Sequence, residues 1–153
     1  MVDLLSTAGN DLNGSPLLGN DEIIAIVDDS PELALLLKAS LANKGLSAIP
    51  VNSGSELFEI IRTQQVALVI LDISLPDRDG NTILVELSRD YPDLGVIMVT
   101  SVTDIQVALE CLRRGADDYL TKPVNSEQFY HTVRRTLKKR RLAIENRRYQ
   151  QEL

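Results

Sequence analysis

Five short apolar runs alternate along the chain with longer segments whose apolar residues recur every three or four positions. The runs are residues 22–27 (EIIAIV), 46–51 (LSAIPV), 66–71 (VALVIL), 96–100 (VIMVT) and 119–121 (YLT). Each is too short for an ordinary helix, and the third is rich in β-branched side chains, so it reads as a strand buried on both faces. Between the runs, Leu33, Leu36, Leu37 and Leu41 mark the inward face of a first helix, which Ser30 caps, Pro31 begins and Gly45 stops. Asn52, Ser53 and Gly54 turn the chain into a second helix with Leu57, Phe58, Ile60 and Ile61 inward. A third helix covers residues 82–89 with Ile83, Leu84 and Leu87 inward, and Tyr91 and Pro92 close it. A fourth runs from about residue 104 to residue 114 with Val107, Ala108, Cys111 and Leu112 on one side, and Gly115 ends it. The last starts near Ser126 and points Phe129, Val133 and Leu137 inward. Strand and helix alternate without a hairpin signal, so successive strands are parallel and joined by right-handed crossovers, which is a doubly wound α/β sandwich.

In a parallel sheet all carboxyl ends lie on one edge, the edge where such folds bind ligands. Asp28 and Asp29 reach it from the first strand, Asp72 from the third, Thr100 from the fourth and Lys122 from the fifth. Three carboxylates held close together repel one another unless a cation joins them or some become protonated. A hard divalent ion answers that need, and Mg²⁺ fits best because it keeps several waters and uses one or two carboxylates with phosphate oxygens. Lys122 adds a point charge for a phosphoryl oxygen, and Thr100 adds a hydroxyl donor. Each residue alone has a plainer reading: acids at strand ends as solvated loop residues, Thr100 as a helix cap, Tyr119 as a core aromatic. Pro76 and Gly80 need only shape a loop. The joint arrival of five polar side chains at strand ends outweighs these separate readings.

IVDDS at 26–30, LDISLPDRDG at 71–80, VTS at 99–101 and DYLTKP at 118–123 together resemble the receiver domain of bacterial two-component response regulators. The resemblance covers roughly residues 22–137 in order and spacing. It implies a flavodoxin-like sheet of order 2-1-3-4-5 flanked by five helices, the last one extended. It also implies that Asp72 is the phosphoacceptor for a histidine kinase or phosphotransfer protein. Asp28 and Asp29 then hold Mg²⁺, or Mn²⁺ in its place, with Asp29 the more direct ligand and Asp72 and the Ser74 backbone carbonyl completing the set. Lys122 pairs with Asp72 and then with the phosphoryl group. Thr100 and Tyr119 are the switch residues that alter the face formed by the fourth helix, fifth strand and fifth helix. The Lys122–Pro123 bond resembles one that is cis in the family. Neither Ser74 nor Val102 offers an acid or amide to steer an attacking water, so unremarkable to slow spontaneous dephosphorylation is expected.

Two other function classes fit these residues less well. An aspartyl-nucleophile phosphohydrolase would carry a second aspartate two residues after Asp72, where Ser74 stands, and would need a substrate cap. A phosphorylation-independent interaction module predicts missing acids or a missing lysine, and all are present.

Composition sharpens the boundaries. The 153 residues are 44% hydrophobic, enough for one domain with a real core. No run spans a bilayer and no signal peptide opens the chain, so a cytoplasmic protein without a membrane partner is expected. Cys111 is the one cysteine and His131 the one histidine, which excludes an internal disulfide and a structural zinc site; Cys111 reads as a core residue and His131 as a surface one. Residues 1–21 have linker composition and are expected to be flexible. Residues 134–148 hold eight of the 16 Lys and Arg against a single acid; this stretch carries +7 and the rest of the chain −13. The acidic body argues against nucleic-acid binding by the receiver, while the basic tail leaves such binding open. Residues 138–153 lack Gly and Pro and should prolong the last helix as a linker. Leu142, Asn146, Tyr149 and Leu153 fall at coiled-coil spacing, which admits a homodimer or an equally plain solvated helix. ENRRYQQEL resembles linkers that precede signalling enzymes such as cyclic-dinucleotide phosphodiesterases, phosphatases or kinases, so an output domain is expected beyond it.

Overall fold

The computed structural model describes residues 9–10, 14–75, 77–101 and 105–152. Strands β1 (Glu22–Val27), β2 (Ala48–Val51), β3 (Gln65–Asp72), β4 (Gly95–Ser101) and β5 (Asp118–Lys122) alternate with helices α1 (Pro31–Ala42), α2 (Gly54–Thr63), α3 (Gly80–Asp90), α4 (Ile105–Arg113) and α5 (Ser126–Glu152). The strands form one parallel sheet in the order β2-β1-β3-β4-β5. The predicted start of α4 near residue 104 lies outside the described residues.

Side chains alternate across the sheet with period two, and this divides the core. Ile24, Ile26, Leu68, Ile70, Ile97 and Val99 pack against α1 and α5, where Phe129, Val133 and Leu137 are fully buried. Ala25, Val27, Val69, Leu71, Val96 and Met98 face the opposite way, toward α2, α3 and α4. Helices on both faces leave the two ends of the strands as the open edges, and the carboxyl edge holds the chemistry.

Helix starts follow the predicted signals. Ser30 Oγ accepts the Leu33 N–H and Ser53 Oγ accepts the Glu56 N–H. At the end of α1, Gly45 adopts φ +74°, the left-handed conformation that ends helices, and the Leu46 N–H bonds back to the Leu41 carbonyl at 2.9 Å. That hydrogen bond places Leu46 in the helix terminus, buried but outside β2, so the second strand starts two residues later than its apolar pattern predicts.

Three further differences are instructive. Leu36 points outward, 60% exposed, while Ala34, Leu37 and Leu41 form the buried stripe of α1. Three consecutive leucines at 35–37 surround much of the helix and hide its phase. Within the linker-like N-terminal segment, Leu17 is buried in the core and its N–H bonds to the Gly9 carbonyl at 2.8 Å. The third difference concerns charge. The basic stretch of α5 lies along the acidic body: Arg135 pairs with Asp118, Lys139 with Asp117, and Arg147 with Asp93. Arg140 is the most enclosed of these, bonding Glu22 at 2.7 Å and the Asp93 carbonyl at 2.8 Å. Among the described residues no helix is long and apolar enough to cross a membrane.

Gly80 packs too tightly for any side chain. A β-carbon there would lie 2.7 Å from the Ile73 α-carbon and 2.9 Å from the Asp72 carbonyl oxygen, both backbone atoms that cannot swing aside. Gly80→Ala is expected to lower stability by about 1–3 kcal/mol through forced backbone shifts, measured as a reduced urea midpoint. An unchanged midpoint would show that the loop yields freely.

Candidate functional site

The sheet brings the predicted site residues to one edge. Asp28 follows β1 directly, Asp72 ends β3, Thr100 lies at the end of β4 and Lys122 ends β5. Asp28, Asp72 and Thr100 are 3–5% exposed, whereas Asp29 is open to solvent. Oxygens of Asp28, Asp29 and Asp72 lie within 4.8 Å of one another, a set of hard donors suited to Mg²⁺.

Lys122 partly balances this charge. Its Nζ stands 3.1 Å from Asp72 Oδ2 and 3.3 Å from Asp28 Oδ2. The remaining oxygens of those acids bond to backbone: Asp28 Oδ1 accepts the Ser30 N–H at 2.8 Å, and Asp72 Oδ1 accepts the Ser74 N–H at 3.0 Å. Both carboxylates are thus fixed in rotation, and Asp29 is left as the solvent-facing donor. Burial pulls the Lys122 ammonium toward neutrality, but its hydrogen bond to Asp72 and the charges of Asp72 and Asp28 outweigh that, so its pKa is raised above the ordinary lysine value. The lysine stays charged at any physiological pH.

Thr100 Oγ1 donates to the Ser101 carbonyl at a long 3.5 Å, a weak tie. Tyr119 is half-buried and packs against the core on the side of α2, α3 and α4. The Lys122–Pro123 peptide bond is cis. Ser74 is exposed, and Val102 and Pro76 lie outside the described residues. His131 is exposed on α5. Cys111 is fully buried, and burial, opposed by the Arg114 charge, pushes its thiol pKa up, which suits a packing role.

One anchored carboxylate outside the acidic cluster has no local sequence signal. The Asp77 carboxylate, in the loop between β3 and α3, accepts the backbone N–H of Gly54 at 3.1 Å and that of Ser55 at 3.3 Å, with the Ser55 hydroxyl at 3.2 Å. It occupies the positive N-terminus of α2, and the Gly54 bond is the main reason its pKa is lowered.

A doubly wound 2-1-3-4-5 sheet with an acidic cluster and a lysine at its carboxyl edge defines the flavodoxin-like receiver architecture. The chain belongs to the response regulator receiver domain family, whose sequence model matches residues 24–134. It is 34% identical over 81% of its length to the C4-dicarboxylate transport transcriptional regulatory protein DctD of Pseudomonas aeruginosa, and spans 27% of that protein. It is 34% identical over 84% of its length to the TorCAD operon transcriptional regulatory protein TorR of Escherichia coli O157:H7, of which it spans 56%. Among solved structures, the receiver domain of NtrX from Brucella abortus superposes with a TM-score of 0.73 at 28% identity, covering 75% of this chain and 98% of that one.

Proposed function

We propose that this chain is a phosphorylation-controlled switch that takes a phosphoryl group from a histidine kinase, or from a phosphotransfer protein, onto Asp72 in the cytoplasm. The observation that carries this reading is Lys122 Nζ set between Asp72 and Asp28, with Asp29 beside them. A carboxylate oxygen of Asp72 attacks phosphorus, the P–N bond to the donor imidazole breaks, and the electron pair leaves with the imidazole nitrogen. Such a transfer needs positioning and charge neutralisation more than a strong base. Asp28, Asp29, Asp72 and the Ser74 carbonyl would hold Mg²⁺ or Mn²⁺, which neutralises charge on the phosphoryl oxygens. Lys122 neutralises the same charge from the β5 side, and its raised pKa keeps it cationic. The domain assists its own phosphorylation and dephosphorylation: the phosphoryl group is the signal while it sits on Asp72, and attack by water on phosphorus returns the carboxylate and releases inorganic phosphate.

The readout passes through Thr100 and Tyr119 to the face of α4, β5 and α5. Apolar side chains already stand open on α4, with Ile105 59% and Leu109 40% exposed. Beyond the sheet, α5 carries Leu142 and Tyr149 exposed on its linker segment, which supports a homodimer or a docked output domain there. Much of the charge of the basic stretch 134–148 is matched by Asp93, Asp117, Asp118 and Glu22, which favours a structural use of that charge over nucleic-acid binding.

Incubation with acetyl phosphate followed by intact-mass measurement tests the reading. One added phosphoryl group is expected in the presence of Mg²⁺ and none after the metal is chelated. Equal labelling under both conditions would remove the metal from the proposal.

A further inference from the structure

We infer that Asp77 is a positioning residue for the metal: it latches the loop bearing the Ser74 carbonyl to the N-terminus of α2. This rests on the functional reading above, in which that carbonyl is a ligand.

Residues 73–75 and 77–79, between β3 and α3, are held at a root and at a tip. At the root, the Ser74 N–H bonds to Asp72 Oδ1, Ser74 and Asp79 form an antiparallel bridge, and the Gly80 N–H bonds to the Ile73 carbonyl at 3.0 Å. At the tip the polar anchor is Asp77, with its three bonds to Gly54 and Ser55. Its neighbour Arg78 lies over the Phe58 ring at 5.0 Å and pairs with Glu86 at 2.9 Å, so the tip spans α2 and α3. Gly54 fits the same picture. A β-carbon there would meet Ile83 Cδ1 at 2.8 Å and the Arg78 side chain at 3.2 Å, so the start of α2 sits directly against the loop and α3.

Ser74 is exposed and belongs to the root, three residues before Asp77 at the tip. With the tip released, the root alone holds that carbonyl, and the freedom it gains must be lost again when the metal binds, at a cost in affinity. Groups that orient a ligand without touching the metal typically shift affinity about tenfold or more. The latch also couples the two sites reciprocally, so metal binding should steady the first turn of α2.

The test is Mn²⁺ affinity by electron paramagnetic resonance on the wild type, Asp77→Ala and Asp77→Asn, with thermal unfolding measured alongside. Hydrogen exchange at Gly54 and Ser55 is followed with and without Mg²⁺. The expected result is about tenfold weaker Mn²⁺ binding in Asp77→Ala and an intermediate value in Asp77→Asn, whose amide oxygen still accepts. Metal-induced protection of Gly54 and Ser55 should appear in the wild type and vanish in Asp77→Ala. Wild-type affinity in both variants would overturn the latch while leaving the site intact. Equal losses in both variants would assign the effect to the missing charge and overturn it too. A wild type that binds no Mn²⁺ would overturn the functional reading itself, and the latch with it.

Discussion

Asp72→Asn is expected to abolish phosphorylation while leaving the fold intact. The substitution is nearly isosteric and retains an amide oxygen that can accept the Ser74 N–H, the bond that now fixes Asp72 at 3.0 Å. It loses the anionic nucleophile and turns one acceptor facing Lys122, now at 3.1 Å, into an N–H donor aimed at an ammonium. No other carboxylate replaces it. Asp28 turns its oxygens to Ser30 and Lys122, and Asp29 is a solvent-exposed residue on the neighbouring strand end. With Mg²⁺ and acetyl phosphate, intact mass should show no added phosphoryl group, with circular dichroism unchanged from the wild type. Labelling that survives the substitution would move the acceptor elsewhere and defeat the assignment.

The legibility of this site in the sequence follows from topology. Once strands are known to be parallel, residues at their carboxyl ends must share an edge, and Asp28, Asp72, Thr100 and Lys122 meet there with no contact having to be guessed. The same economy placed Phe129, Val133 and Leu137 in the core through helical spacing. What stayed hidden depends on geometry that no local pattern encodes. Leucines on several sides blur the phase of α1, so the apolar spacing points Leu36 inward where Ala34 belongs. Asp77 meets Gly54 and Ser55 across more than twenty residues of chain, and nothing around it separates an anchor from a solvated turn acid. The basic stretch leaves nucleic-acid binding open in the sequence because its partners, Glu22 and Asp93, come from distant segments that only the folded chain brings under α5. Leu17 likewise sits in a segment of linker composition, and only its burial reveals it.

Lys122→Ala should do the greatest damage that leaves the nucleophile in place. The ammonium sits between two nearly buried acids, Asp28 at 4% and Asp72 at 6% side-chain exposure, and without it they face each other with no internal cation. Removing one partner of an enclosed charge group harms stability through the charges left behind, so the variant should unfold at a lower temperature. Added Mg²⁺ should raise its midpoint more than that of the wild type, because the metal then neutralises more unbalanced charge. Phosphoryl transfer loses a fixed positive group at the developing charge, and labelling by acetyl phosphate should slow by about a hundredfold or more at saturating Mg²⁺. Lys122→Arg should restore stability better than rate, since a planar guanidinium does not reproduce a compact point charge. The pH dependence has a definite sign. The folded-state pKa of Lys122 is raised, so its contribution to stability is complete below the ordinary lysine value of 10.5 and is lost as pH climbs through the higher folded value. The wild type should therefore shed stability in that alkaline window more steeply than Lys122→Ala, and parallel unfolding curves across it would show that the ammonium is not held by the two acids.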